Sequence, residues 1–197
     1  LAHANSHGAE PSTMGQGPVR LRRRAQLMLK RPDLEVVEFR GNLQTRLMKL
    51  DQGVAAATFL AMAGLNRLGM SEVPATAIET DGMLPAVAQG AIGIERRVED
   101  TNVADMLAAI HDTPTGQRLA AERAFLLALD GSCETPIAGL AELDGNSLHL
   151  RGEVLRPDGS ESLTDAVTCP IEDGAQAGTE MAQKLLAQAG PKFFDWR

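Results

Sequence analysis

Val36-Val37-Glu38-Phe39-Arg40-Gly41-Asn42-Leu43-Gln44-Thr45-Arg46-Leu47 passes from a β-prone run, through a glycine break, into leucines at helical spacing. Leu43, Leu47 and Leu50 keep that spacing as far as Asp51-Gln52-Gly53, so the stretch reads as strand, turn, helix. Residues 55–63 form a short apolar run suited to a buried parallel strand, and a turn at Gly64 leads into a brief helix over 65–68. Upstream, Leu21, Ala25, Leu27 and Met28 give a helical face that ends at Arg31, because Pro32 disfavours helix in the residue before it. Helices alternating with strands in this way predict an α/β sheet.

Outward from this segment the pattern changes. Residues 1–18 mix Gly, Pro, Ser, His and Asn without period and read as a poorly ordered leader, with the folded region starting near Val19. Residues 71–90 are rich in Pro, Gly and small side chains, and residues 91–94 are expected to form a strand running into Glu95-Arg96-Arg97, as in a crossing between domains. Asp100 caps a helix carrying Val103, Met106, Leu107 and Ile110, and Thr113 or Thr115 starts another with Leu119, Ala120, Ala124 and Leu127 on its face. Alternating segments over 137–143 and 148–155 flank the turn Asp144-Gly145-Asn146, Pro157-Asp158-Gly159 turns into a third strand, and a last helix covers 173–188.

Composition narrows the function classes. Hydrophobic residues at 44% and charged residues at 23% are those of a folded, water-soluble chain. A net charge of -7 opposes general nucleic-acid binding, which needs surplus Lys and Arg, and aromatics at 3% leave no base-stacking platform. No apolar run has the length of a membrane span or the pattern of a secretory signal, so neither a membrane nor a nucleic acid is an expected partner. Cys133 and Cys169 cannot build a disulfide framework and the four histidines are scattered, which predicts no metal site and suits a reducing cytoplasm.

The densest chemical signal is cationic. Arg20, Arg22, Arg23 and Arg24 lie at a helix start, Arg40 precedes a glycine turn, and Arg46 and Arg67 lie on the following helices. Parallel α/β sheets collect ligands at the carboxyl ends of strands, and the arginine fork matches carboxylate geometry, so the set suits a ligand with several carboxylates or phosphates. Solvated surface arginines are the alternative that spacing alone leaves open. Cys133 lies in the turn Leu129-Asp130-Gly131-Ser132-Cys133-Glu134-Thr135-Pro136, where a thiol can project into a cleft or be a small buried apolar residue. Cys169 precedes Pro170 in a β-rich segment and reads as structural.

Five ordered strings resemble the porphobilinogen deaminase (hydroxymethylbilane synthase) family from about Leu21 to the C-terminus. They are Leu21-Arg22-Arg23 with Ala25-Gln26-Leu27 and Arg31-Pro32-Asp33-Leu34; the stretch from Arg40 to Leu47; and Ala63-Gly64-Leu65-Asn66-Arg67-Leu68-Gly69. The others are Leu84-Pro85-Ala86-Val87-Ala88-Gln89-Gly90-Ala91-Ile92-Gly93-Ile94-Glu95, and Ala121-Glu122-Arg123-Ala124 with Leu129-Asp130-Gly131-Ser132-Cys133. The resemblance implies a periplasmic-binding-protein-like α/β domain followed by a small α+β C-terminal domain that carries the cofactor cysteine. Residues 19–89 then correspond to the family's second domain, 90–110 to a segment returning to the first, and 111–197 to the third.

The same resemblance implies a dipyrromethane held through a thioether on Cys133, with Arg22, Arg23, Arg40, Arg46, Gly64, Arg67, Gln89 and Gly90 around the primer and the growing pyrrole chain. The implied reaction condenses four porphobilinogens head to tail with loss of ammonia and releases hydroxymethylbilane by hydrolysis, in tetrapyrrole biosynthesis, in a protein that is a monomer in the family. The family's catalytic aspartate lies in a first domain with no counterpart here, so no catalytic residue is assigned and the chain alone is expected to be inactive. A polycarboxylate-binding remnant without catalysis is the rival expectation. The chain departs from the family pattern at Gly17-Pro18-Val19-Arg20, where the family has Gly-Thr-Ser-Ser, at Ala88, where it has glycine, and at Ala55-Ala56, where it has Tyr-Asp. Pro18 also removes a backbone donor.

Overall fold

The computed structural model describes residues 2–5, 13–16, 21–132 and 134–196. The N-terminal half holds β1 (Ala2–Asn5), β2 (Thr13–Gln16), α1 (Leu21–Lys30), β3 (Glu35–Glu38), α2 (Leu43–Asp51), β4 (Ala57–Leu60), α3 (Met62–Arg67) and β5 (Ala75–Ala77). Its sheet has the order β3-β2-β4-β1-β5. β2 pairs in parallel with β3 and with β4, whereas β1 runs antiparallel to β4 and β5. The expected leader is corrected here: Met14 is buried against Leu27, Leu34, Ala57 and Phe59, so β2 helps to cover the core under α1. Four residues per strand are too few to show a period against the polar stretch between them, which hid both strands from the sequence.

Helix starts follow side-chain chemistry. The Asn42 side chain accepts from the Thr45 N–H at 2.9 Å and fixes the entry to α2 immediately after Gly41, whose φ of +130° a side chain would strain. Asp100 caps α4 (Thr101–Ala108) through the Val103 N–H, and Asp112, rather than Thr113 or Thr115, caps α5 (Thr113–Ala128) through the Thr115 N–H. The strand expected over 91–94 is absent: Ile92 is 93% exposed and the backbone there joins no ladder. A strand needs a partner, and this apolar run finds none within the described residues.

The C-terminal half is a three-stranded antiparallel sheet, β6 (Ile137–Asp144), β7 (Ser147–Leu155) and β8 (Ser162–Pro170), packed against α5 and α6 (Gly174–Gln188). Leu148, Leu150 and Val154 of β7 alternate into a core with Phe125, Leu129, Met181, Leu185 and Phe193. The face that α5 buries is Ala121, Glu122 and Phe125, one step round from the face expected, and Leu127 is exposed. Close contact between the helices decides this: a Cβ added at Gly178 would lie 2.4 Å from the Ala121 carbonyl oxygen, so small residues must face each other there. Together the sheets and helices make a mixed α/β chain, and no described helix is long and apolar enough to cross a membrane.

Candidate functional site

β2, β3 and β4 run in one direction, so their carboxyl ends share an edge of the sheet, and the helices that follow them start from that edge. Arg22 and Arg23, in the first turn of α1, are 7% and 3% exposed. Two cations in a first turn oppose the helix macrodipole by about 0.3–1 kcal/mol each at the surface. Their burial adds a desolvation cost unless acceptors surround them. The Arg22 Nη1 donates to Gln26 Oε1 at 2.7 Å and to the Leu84 carbonyl at 2.7 Å, and its Nη2 reaches Gln89 Oε1 at 3.4 Å. Arg22 and Gln89, distant in sequence, therefore meet.

Arg40 and Arg46 form a second group. Arg40 lies exposed just beyond β3 and pairs with Glu38 at 2.7 Å, while the Lys49 ammonium donates to the Arg40 carbonyl. Arg46 is half-buried; its Nε donates to the Gly41 carbonyl at 3.0 Å and its Nη1 to the Phe59 carbonyl in β4 at 3.4 Å. Gly64 lies in α3 with open space where a Cβ would stand, and Arg67 is exposed at the end of that helix. These positions follow successive strands of one sheet.

Gln89 and Gly90 occupy a loop whose backbone is held from the C-terminal half. Ala88 adopts φ +60°, a left-handed conformation that costs a non-glycine residue roughly 1–2 kcal/mol. Glu122 offsets the strain by accepting the Ala88 N–H at 2.7 Å and the Ala141 N–H at 2.9 Å. Burial pushes the Glu122 carboxyl above the usual glutamate range, against the pull of those two N–H groups and of Arg118. A cavity of about 290 Å³ opens beside the loop, lined by Gln89, Gly90, Arg118, Glu122 and Leu140 among others. Gln26, Glu122 and Arg118 were not singled out from sequence; Gln26 had a signal, since it follows Arg22 by four residues and shares its helix face.

Cys133 lies outside the described residues. Around it, the Ser132 N–H donates to Thr135 Oγ1 at 2.8 Å, and that hydroxyl donates back to the Ser132 carbonyl at 2.7 Å, which closes a tight turn between α5 and β6. Asp130 turns the end of α5 with φ +50°, and Gly131 is packed so closely that a Cβ would fall 2.6 Å from Ile137 Cδ1 and from Leu126 Cδ1. Cys169 is half-buried on β8, and burial together with the charges of Asp173 and Glu172 raises its thiol pKa, which keeps it protonated and a poor nucleophile.

The class these features define is a mixed α/β protein with guanidinium groups ranged along one strand-end edge and a hydrogen-bonded turn that joins its helical and antiparallel regions. Residues 6–105 match the family described as porphobilinogen deaminase, dipyromethane cofactor binding domain, and residues 117–187 match the porphobilinogen deaminase C-terminal domain. A porphobilinogen deaminase of Paracoccus denitrificans (strain Pd 1222) is 58% identical over 99% of this chain and 64% of its own length. Those of Nitrobacter hamburgensis and Nitrobacter winogradskyi are 47% and 44% identical, over 90% and 98% of this chain and 56% and 61% of their own lengths. The chain belongs to the porphobilinogen deaminase family, and it spans less than two thirds of the length of these relatives. The match begins at residue 6, inside the stretch read from sequence as leader.

Proposed function

We propose that this chain supplies the primer-holding portion of a hydroxymethylbilane synthase, a transferase that condenses four porphobilinogens head to tail with release of ammonia. The observation that carries the reading is the burial of Arg22 and Arg23 in the first turn of α1, where helix polarity disfavours cations. Such a placement lowers stability, and an anionic ligand offsets it. Dipyrromethane carries acetate and propionate groups, and the donor set fits them: the Arg22 and Arg46 forks are held in fixed orientations by backbone and amide oxygens and suit carboxylate oxygens. The group would be held on Cys133 through a thioether and would supply the free pyrrole carbon to which each new ring is joined.

Within this reading Arg22, Arg23, Arg40, Arg46 and Arg67 bind side-chain carboxylates, Gly64 and Gly90 let the chain approach the backbone, and Gln89 sets the edge of the cleft. The parallel strands with helices at their carboxyl ends support a periplasmic-binding-protein-like domain over 19–89, to which β1 and β2 add. Residues 90–110 form the segment returning to the family's first domain, and 111–197 the cofactor-bearing one. The substrate is porphobilinogen, the state a cytoplasmic monomer. Two cysteines, with one assigned to the thioether, suit a reducing compartment.

Peptide mapping of the full-length protein tests the assignment. A dipyrromethane adduct is expected on the peptide containing Cys133, with porphobilinogen converted to hydroxymethylbilane and read as uroporphyrin I. An adduct on the Cys169 peptide, or on neither in active protein, would overturn it.

A further inference from the structure

We infer that Glu153 of β7 is a positioning residue for Arg22, acting through Gln26; this rests on the reading of Arg22 as a carboxylate-binding group. Gln26 Nε2 donates to Glu153 Oε2 at 2.6 Å and to the Leu84 carbonyl at 3.0 Å, while Gln26 Oε1 accepts from Arg22 Nη1 at 2.7 Å. An amide has two unlike ends, and its neighbours decide which way it points. A carboxylate only accepts, so Glu153 draws the NH2 end to itself and leaves the oxygen for Arg22. Without Glu153 only the Leu84 carbonyl still holds the NH2 end, so the amide and the guanidinium bonded to its oxygen are less firmly fixed.

The junction that carries this relay is stiff. The β7–β8 turn presses on α1 at Gly159, whose φ is +73° and where a Cβ would fall 2.6 Å from Met28 Cβ and 2.7 Å from the Ala25 carbonyl oxygen. α1 and β7 thus keep a fixed separation, so a hydrogen bond between them transmits orientation and not merely attraction. Gln26 is buried and Glu153 half-buried, which removes part of the water from the contact and strengthens it. The half of the chain that contains Cys133 therefore sets the fork of an arginine in the other half.

The test is a double-mutant cycle in the full-length protein, with kcat and KM measured for porphobilinogen. Glu153→Leu is expected to lower kcat/KM roughly tenfold with Tm unchanged, and Glu153→Gln, which keeps an acceptor oxygen, to recover most of the loss. In an Arg22→Lys background, where no fork remains to be oriented, Glu153→Leu is expected to cost little more. Equal losses in both backgrounds would overturn the relay, since a merely structural role does not depend on Arg22. If Arg22→Lys falls below detection, hydrogen exchange of the Arg22 guanidinium followed by 15N spectra replaces the cycle, and unchanged exchange in Glu153→Leu overturns it. A loss in Arg22→Lys without one in Glu153→Leu removes the relay alone. An Arg22→Lys protein with parental kcat/KM removes the site reading and the relay together.

Discussion

The two halves of the molecule divide stability from chemistry. In the C-terminal half a single continuous core joins α5, α6 and the antiparallel sheet, with Phe125, Leu129, Leu148, Leu150, Val154, Leu185 and Phe193 all essentially closed to water. In the N-terminal half the sheet separates two smaller clusters, the first around Phe39, Leu50 and Leu65 and the second around Met14, Leu34 and Phe59. All the candidate binding arginines are in that thinner N-terminal half, and two of them are buried at a helix start that repels them. A site made of like charges weakens its own scaffold. The C-terminal half braces that scaffold, through Glu122 on Ala88 and the Gly159 turn on α1, while Glu153 orients Gln26.

The hardest way to break this contrast is to empty the larger core. Phe125→Ala is expected to destabilise the protein by about 3–5 kcal/mol, since the ring is fully buried between α5, α6 and the sheet. Phe39→Ala should cost less, because its smaller cluster is partly lined by half-buried side chains that can collapse into the space. Urea unfolding of both variants measures this, and equal losses would erase the distinction between the halves.

A smaller effect tests the seam. Gly159→Ala combines a left-handed φ with contact against the α1 backbone and should cost about 1–3 kcal/mol. Because the turn seats α1, the proposed function predicts that KM for porphobilinogen rises with it in the full-length protein; a fall in Tm with unchanged KM would show that the seam stabilises without orienting Arg22.

The smallest effect is in pH dependence. The folded pKa of Glu122 is raised by burial, so between the ordinary glutamate value of about 4.3 and that raised value the folded state holds more protons than the unfolded one. The stabilising contribution of Glu122 is therefore complete at low pH and declines as pH rises through the raised value. Relative to Glu122→Gln, which does not titrate, the parent should lose stability across that interval with a slope no steeper than about 1.4 kcal/mol per pH unit. Parallel stability profiles for the two proteins would mean that Glu122 is not buried as a carboxylate.

Local chemistry made much of this legible in the sequence. The Gly41 break and leucine spacing identified α2, the Asp100 cap identified α4, Pro32 marked the end of α1, and the alternation over 137–155 identified the hairpin, because in each case neighbouring residues alone supply the signal. The arginines and the cysteine turn were likewise visible, since charge and turn residues are properties of single positions. What depended on distant partners was not. β1, β2 and β5 exist only through their ladders, the run 91–94 lacks one among the described residues, and the buried face of α5 is set by its fit against Gly178. The same holds for the site: the sequence determined which groups could grip a carboxylate, but the meeting of Arg22 with Leu84 and Gln89, and the control of Gln26 by Glu153, arise only when the chain closes, because a hydrogen bond joins whichever groups the fold brings within about 3 Å.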